Sequence, residues 1–192
     1  MNYADRTIND LPGYLQTTDK VVPIITLTGD PSHIGHVRIG VRTYEEVLRR
    51  SLHDQILYLV HSRNELKNPE ASLEDRRRWL LMNFDHFEPE LAEKIRICAW
   101  GSEKEDPYIY DLTEEYQRQL LRVAGSDKEG AIHRGNIQTT IFPRITDSSS
   151  TEVKRLMKIT GSHPQLRKAM APRVLEEILD RGIYQGRVDV RI

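Results

Sequence analysis

His33 and His36, with Gly35 between them, follow directly on an apolar run, Val21–Leu27, and a turn through Thr28-Gly29-Asp30-Pro31-Ser32. Two imidazoles at the start of a helix can donate hydrogen bonds to a polyphosphate, and to a phosphorus centre that gains charge in its transition state. Two other readings stand beside this one. His33 can cap the turn while His36 is an ordinary helix residue, or the pair can be metal ligands. No Cys, His or carboxylate third ligand follows at helical spacing. A second group is Ser148-Ser149-Ser150-Thr151, followed by Glu152-Val153-Lys154-Arg155. One hydroxyl is enough to cap a helix. The spare hydroxyls, the open backbone N–H groups and a Lys or Arg one turn in would make a second anion site.

The elements that must position these groups follow from periodicity. Val21–Leu27 reads as a strand buried on both faces. Val37, Val41, Tyr44, Leu48 and Leu52 then mark one face of a helix, and Gln55–Val60 is a second buried strand, so the three form a βαβ unit with parallel pairing. The polar stretch His61–Ala71 is a loop carrying Lys67. Ser72 caps a helix with Asp75 in a capping box, and that helix bears Arg76, Arg77 and Arg78. A run of this kind is a solvated face or a phosphate ligand. Further strands are expected at Ile95–Trp100, Leu121–Ala124 and Ile137–Phe142, with a helix over Asp111–Leu120 and a charged loop over Gly101–Pro107. Val153, Leu156 and Met157 share a helix face. Pro172–Arg181 is the last helix, with Gly182 as its cap. Strands alternating with helices mean an α/β sheet, whose ligand site lies beyond the carboxyl ends of the strands. Residues 1–20 read as a polar N-terminal arm and 21–192 as one domain.

The 192 residues suffice for a substantial core. Lys+Arg 28 against Asp+Glu 29 gives a net charge of -1, which does not favour nucleic acid as a bulk electrostatic partner. The single cysteine, Cys98, excludes an internal disulfide and fits a reducing compartment. No apolar leader or 18-residue apolar run is present, so a cytoplasmic protein without membrane insertion is the expectation.

Taken together, the two motifs resemble those of the nucleotidylyltransferase superfamily. Gly29-Asp30-Pro31-Ser32-His33-Ile34-Gly35-His36 resembles its FDPxHxGH form, and Ser149-Ser150-Thr151-Glu152-Val153-Lys154 resembles its SSTxxR/K sequence. Between them, Arg63–Lys67 with Arg76–Met82, then Gly125-Ser126-Asp127, and finally Leu166–Tyr184 are similar to segments of nicotinate or nicotinamide mononucleotide adenylyltransferases. The chain departs from that pattern in two places. Thr26-Leu27-Thr28-Gly29 stands where the family has Gly-Gly-Thr/Ser-Phe, and Lys67 lacks the usual preceding Pro-His. The string His33-Ile34-Gly35-His36 also matches the class I aminoacyl-tRNA synthetase signature, but the KMSKS-like loop and tRNA-binding modules of those enzymes are absent from this sequence.

The resemblance implies a Rossmann-like single domain with a parallel five-stranded sheet of order 3-2-1-4-5. It implies adenylyl transfer from ATP to a pyridine mononucleotide, with Mg2+ bridging triphosphate oxygens. His33, His36, Lys67 and Lys154 would be catalytic. Thr28, Gly29, Asp30, Gly35, Arg77, Gly125, Asp127, Ser149, Ser150, Thr151 and Arg155 would bind ATP, and Asp30 would reach the metal through water. Trp100 and Tyr108 are candidates to stack on the acceptor. A phosphopantetheine or cytidylyl transferase, and a nucleotide-binding regulator without turnover, are the alternatives. No nucleic-acid or membrane partner is expected, and a homo-oligomer is left open.

Overall fold

Alternate residues of the central strands go to opposite faces of one sheet, and both faces are covered. In the strand Ile56–His61, Ile56, Tyr58 and Val60 enter one core cluster while Leu57 and Leu59 enter another. The strand Val22–Leu27 divides in the same way: Ile25 and Leu27 lie on one side, Val22 and Ile24 on the other. A strand buried on both sides needs helices on both sides, which is why its sequence reads as an unbroken apolar run.

The structure is a computed structural model, which describes residues 3–61, 69–100, 109, 111–126, 136–143, 149–160 and 163–185, with only the backbone at 99, 100 and 160. The strands are β1 (Thr7–Ile8), β2 (Val22–Leu27), β3 (Ile56–His61), β4 (Ile95–Trp100), β5 (Leu120–Gly125) and β6 (Gln138–Phe142). The helices are α1 (Leu11–Leu15), α2 (Ile34–Arg50), α3 (Leu73–Phe87), α4 (Pro89–Ala92), α5 (Glu114–Arg118), α6 (Ser150–Thr160), α7 (Pro164–Ala169) and α8 (Pro172–Asp180). The sheet order is β1-β4-β3-β2-β5-β6, and every pairing is parallel.

The five expected strands are present in the expected order, but the sheet has six. The extra edge strand is β1, where Thr7 pairs with Ile97 and Ile8 with Cys98. A two-residue strand in a polar stretch carries no periodicity, so the sequence gives no sign of it. The same stretch places Leu11 and Leu15 in the core beside Ile24, Leu57 and Leu59. Arg6 anchors it further, donating to the Asp85 carboxylate and the Ala92 carbonyl.

Two helices also differ from expectation. On α2 the fully buried line is Val37, Gly40, Thr43 and Val47; Val41 and Tyr44 are only partly buried, and Leu48 is 68% exposed. The helix sits so close to the sheet that a β-carbon on Gly40 would lie 2.5 Å from the Tyr58 hydroxyl and 2.7 Å from the Phe84 ring. Small residues form the contact, so counting large apolar ones places the face one residue off. The helix expected over Asp111–Leu120 is the short α5, and Leu120 already belongs to β5, pairing with Val22.

Candidate active site

β2 lies where the strand order reverses, with β3 on one side and β5 on the other. Its carboxyl end therefore opens into the crevice where doubly wound sheets bind ligands. The loop from Thr28 to Ser32 leaves β2 there, buried throughout, with Gly29 at φ +64° and a cis bond between Asp30 and Pro31. A side chain at Gly29 would be strained, because that left-handed conformation disfavours a β-carbon. Glycine in place of the family's usual aromatic thus fits the path of this loop.

α2 begins directly after the loop, capped by His33. The His33 imidazole accepts from the Gly35 N–H at Nδ1 (3.1 Å), and the His36 imidazole accepts from the His33 N–H at its own Nδ1 (3.1 Å). This is a capping box built from histidines. The two rings lie 4.0 Å apart, centroid to centroid. An Nδ1 that accepts a hydrogen bond carries no proton, so in each neutral ring the proton is on Nε2. Capping and donation to a ligand are therefore compatible in the same residues: one nitrogen fixes the ring, and the other carries the N–H. The Tyr58 hydroxyl donates to the His36 carbonyl at 2.7 Å and ties this first turn to the sheet.

α6 meets the loop from the other side. Ser149 caps it by accepting from the Glu152 N–H at 3.1 Å, while the Ser150 hydroxyl donates to the Pro31 carbonyl at 3.0 Å. Lys154 turns inward and its Nζ lies 2.5 Å from Asp30 Oδ2 and 3.3 Å from Glu70 Oε1. The neighbouring Arg155 turns out, into an exposed bidentate pair with Glu152. Thr151 is exposed. The two motifs, far apart in the chain, thus converge on one loop.

Asp30 is the centre of that convergence. Besides Lys154, its carboxylate accepts from the Tyr184 hydroxyl and from the Glu70 and Ala71 N–H groups at 3.0 and 3.1 Å. Burial would raise its pKa, but these donors outweigh burial and hold the carboxyl below the usual range. A carboxylate surrounded by an ammonium, a phenol and two amides is a poor inner-sphere ligand for a cation. Among the described residues no cluster of three or more His, Cys, Asp or Glu could hold a metal ion.

The arginine run divides in the same concrete way. Arg76 is buried and donates to the carbonyls of Thr28 (2.7 Å), His61 (2.7 Å) and Ala71 (3.2 Å), so it clamps the ends of β2 and β3 to the start of α3. Arg77 lies 3.6 Å from Glu74, and Arg78 lies 2.6 Å from Glu177 on α8. Trp79 is core, its indole donating to Glu177. Ser72 caps α3 as expected, through the Asp75 N–H.

Gly125 ends β5 opposite Phe142, beside the crevice. Lys67, Asp127 and Tyr108 lie outside the described residues, as does the side chain of Trp100, whose backbone ends β4. Cys98 is buried and burial pushes its thiol up to about 11, which fits inert core. Sequence reasoning missed three residues that shape the site: Arg76 as a clamp, Tyr184 on Asp30, and Asn83. The Asn83 amide donates to Ser32 while its carbonyl accepts from the Ala171 N–H, joining the loop to the start of α8. An Asn within an apolar helix face was the available signal. An open depression lined by Tyr3, Met82, Asp85, His86, Ala171, Pro172 and Arg173 shares no residue with this site. No described helix is long and apolar enough to cross a membrane.

No family model matches the sequence, and no curated protein matches it. Solved structures do match in fold. The nicotinic acid mononucleotide adenylyltransferase of Plasmodium falciparum complexed with NaAD superposes with a TM-score of 0.65 at 13% identity, over 86% of this chain and 97% of that one. The same enzyme complexed with APC gives a TM-score of 0.62 at 14% identity, with the same coverage, 86% and 97%. A putative nicotinate-nucleotide adenylyltransferase from Vibrio parahaemolyticus gives 0.53 at 17%, over 83% and 99%. The chain therefore shares the Rossmann-like α/β fold of these solved nicotinate-nucleotide adenylyltransferases.

Proposed function

We propose that the protein transfers the adenylyl group of ATP to nicotinate or nicotinamide mononucleotide, releasing pyrophosphate, as a step in NAD biosynthesis. The observation that carries this reading is the meeting of the histidine pair and the Ser149–Lys154 helix start on the loop Thr28–Ser32, at the switch point of the sheet. The reading is supported by the solved enzymes whose fold it shares, which are adenylyltransferases of nicotinate mononucleotide.

The chemistry asks little covalent work of the protein. The acceptor's own 5′-phosphate attacks the α-phosphorus in line, the bond from the α-phosphorus to the bridging oxygen breaks, and pyrophosphate leaves with the electron pair. Catalysis is then positioning and charge stabilisation. His33 and His36 present Nε2–H donors to the oxygens of the α-phosphate as it gains charge. Their Nδ1 atoms are already committed to backbone donors, so the rings do not reorient during the step. Lys154 neutralises the β- and γ-phosphates from the α6 side, with Ser149, Ser150 and Thr151 at the start of the same helix, and Lys67 would be the second lysine on the triphosphate. Arg155 is turned to the surface by its pair with Glu152, Arg77 would bind the nucleotide, and Gly125 and Asp127 would be the ribose contacts. Mg2+ enters as part of the nucleotide substrate. Asp30, already satisfied by four donors, does not fit an inner-sphere role. Trp100 and Tyr108 remain the candidates to stack on the pyridine ring.

The test is an acceptor panel. ATP and CTP are each offered with nicotinate mononucleotide, nicotinamide mononucleotide and phosphopantetheine, and pyrophosphate release is followed. Release with ATP and a pyridine mononucleotide alone supports the reading. Release with phosphopantetheine or CTP replaces it with a related transferase, and ATP binding without release from any acceptor replaces it with a nucleotide-binding regulator.

A further inference from the structure

The end of α8 is held by a Schellman motif. Gly182 is left-handed at φ +63°, its N–H donates to the Leu179 carbonyl at 3.1 Å, and the Ile183 N–H donates to the Ile178 carbonyl at 3.1 Å. The motif reverses the chain, and the next residue, Tyr184, is also left-handed at φ +65°. For a residue with a side chain that conformation is strained. The strain falls where the side chain makes a specific contact. Tyr184 is 2% exposed, its hydroxyl donates to Asp30 Oδ1, and its ring lies 4.9 Å from Lys154 Nζ. Asp30 Oδ2 in turn holds the same Nζ at 2.5 Å. Tyr184 thus grips Lys154 twice, through its ring and through the carboxylate that it orients.

We infer that Tyr184 is the positioning residue of the triphosphate clamp: it fixes Asp30, and through Asp30 and its own ring sets where the Lys154 ammonium stands. The inference deepens the proposed function and rests on Lys154 meeting the β- and γ-phosphates there. Tyr184, after α8, is then part of the nucleotide site through Lys154. α8 is braced for this task. Arg181 pairs with Asp75 of α3 at 2.7 Å, and Glu177 pairs with Arg78 and accepts from Trp79, so the turn carrying Tyr184 is fixed against α3.

The experiment is a double-mutant cycle on the full chain, with Tyr184→Phe, Lys154→Ala and the double variant, reading ATP and AMP affinity by calorimetry. Phenylalanine keeps the ring and removes the hydroxyl. The expected result is that Tyr184→Phe weakens ATP binding about tenfold, leaves AMP binding unchanged, and has no further effect once Lys154 is alanine. Equal ATP affinity in Tyr184→Phe and wild type would overturn the inference. So would a loss that persists in the Lys154→Ala background, which would mark a merely structural role. Absence of ATP binding in the wild type contradicts the proposed function instead. Positioning is then decided by the rate at which an amine-acylating reagent modifies Lys154. A several-fold faster rate in Tyr184→Phe upholds the inference, and an unchanged rate overturns it.

Discussion

The Tyr58 hydroxyl, in the middle of β3, donates to the His36 carbonyl in the first turn of α2 at 2.7 Å. Tyr58 is completely buried and also borders Gly40, one turn further along the same helix. The position of the histidine pair is therefore set from beneath, by a core residue whose hydroxyl is satisfied on the site's own backbone. Helix α2 can reach that hydroxyl only because Gly40 has no side chain.

Gly40→Ala tests this relationship. An exposed helical glycine gains about 1 kcal/mol on becoming alanine, but here the new methyl meets the Tyr58 hydroxyl and the Phe84 ring. Overpacking of a core costs about 1–3 kcal/mol. The expected outcome is a net loss on the order of 1 kcal/mol in urea unfolding, with part of it recovered in Gly40→Ala/Tyr58→Phe.

Arg76→Met should be far more damaging than Arg77→Met. Arg76 satisfies three carbonyls in a buried setting, whereas Arg77 has, among the described residues, one longer ion pair with an exposed glutamate. Loss of a charged donor to several buried acceptors costs about 3 kcal/mol. Chemical denaturation of the two variants should show a large midpoint shift for Arg76→Met and a small one for Arg77→Met.

His36→Ala should lower turnover by about 10²–10³, the usual effect of losing one preorganised donor to a transition-state charge. His36 is half-buried and its side chain bonds the backbone N–H of His33. The thermal midpoint is therefore expected to fall by a few degrees at most. The comparison needs initial rates at saturating ATP together with the melting curve of the same preparation.

Acid sensitivity should centre on Asp75. The Arg181 guanidinium first, opposed by burial and helped by Ser72 and Arg78, holds its carboxyl at about 2 against an ordinary 3.8. A depressed carboxyl pKa contributes stability above the unfolded value, and that contribution is lost as pH falls through the folded one. The window is therefore pH 4 to 2. Asp75→Asn should lose on the order of 1–2 kcal/mol at pH 7, allowing for solvent screening of the half-exposed Arg181, and should show a flatter stability profile across that window.

Much of this was legible from residue pattern. β2, β3, the cap at Ser72 and the Gly182 turn all leave local signals, apolar runs and capping residues, whereas the joining of the histidine and serine motifs in one site was implied only by the family resemblance. β1 leaves none, because two residues show no period and their burial comes from β4. The α2 face was misread for a related reason, since Gly40 and Thr43 make the close contact and carry little apolar weight. The partners of Asp30 were hidden because they are long-range. Tyr184, Lys154 and the Glu70–Ala71 backbone meet only after the sheet and α8 are in place, so no spacing in the chain encodes them. Whether Lys154 or Arg155 faces the site was equally open in sequence, and the packing of Val153, Leu156 and Met157 against α7 and α8 decides it by fixing the rotation of α6.

The central claim is that the α-phosphate of ATP, with its adenosine, passes to a pyridine mononucleotide. ATP labelled at the α-phosphorus, incubated with nicotinate and with nicotinamide mononucleotide, tests it most directly. The account predicts that the label appears in a dinucleotide, in one-to-one proportion with unlabelled pyrophosphate. Label recovered only in unreacted ATP, ADP or AMP, with no dinucleotide from either acceptor, would contradict it.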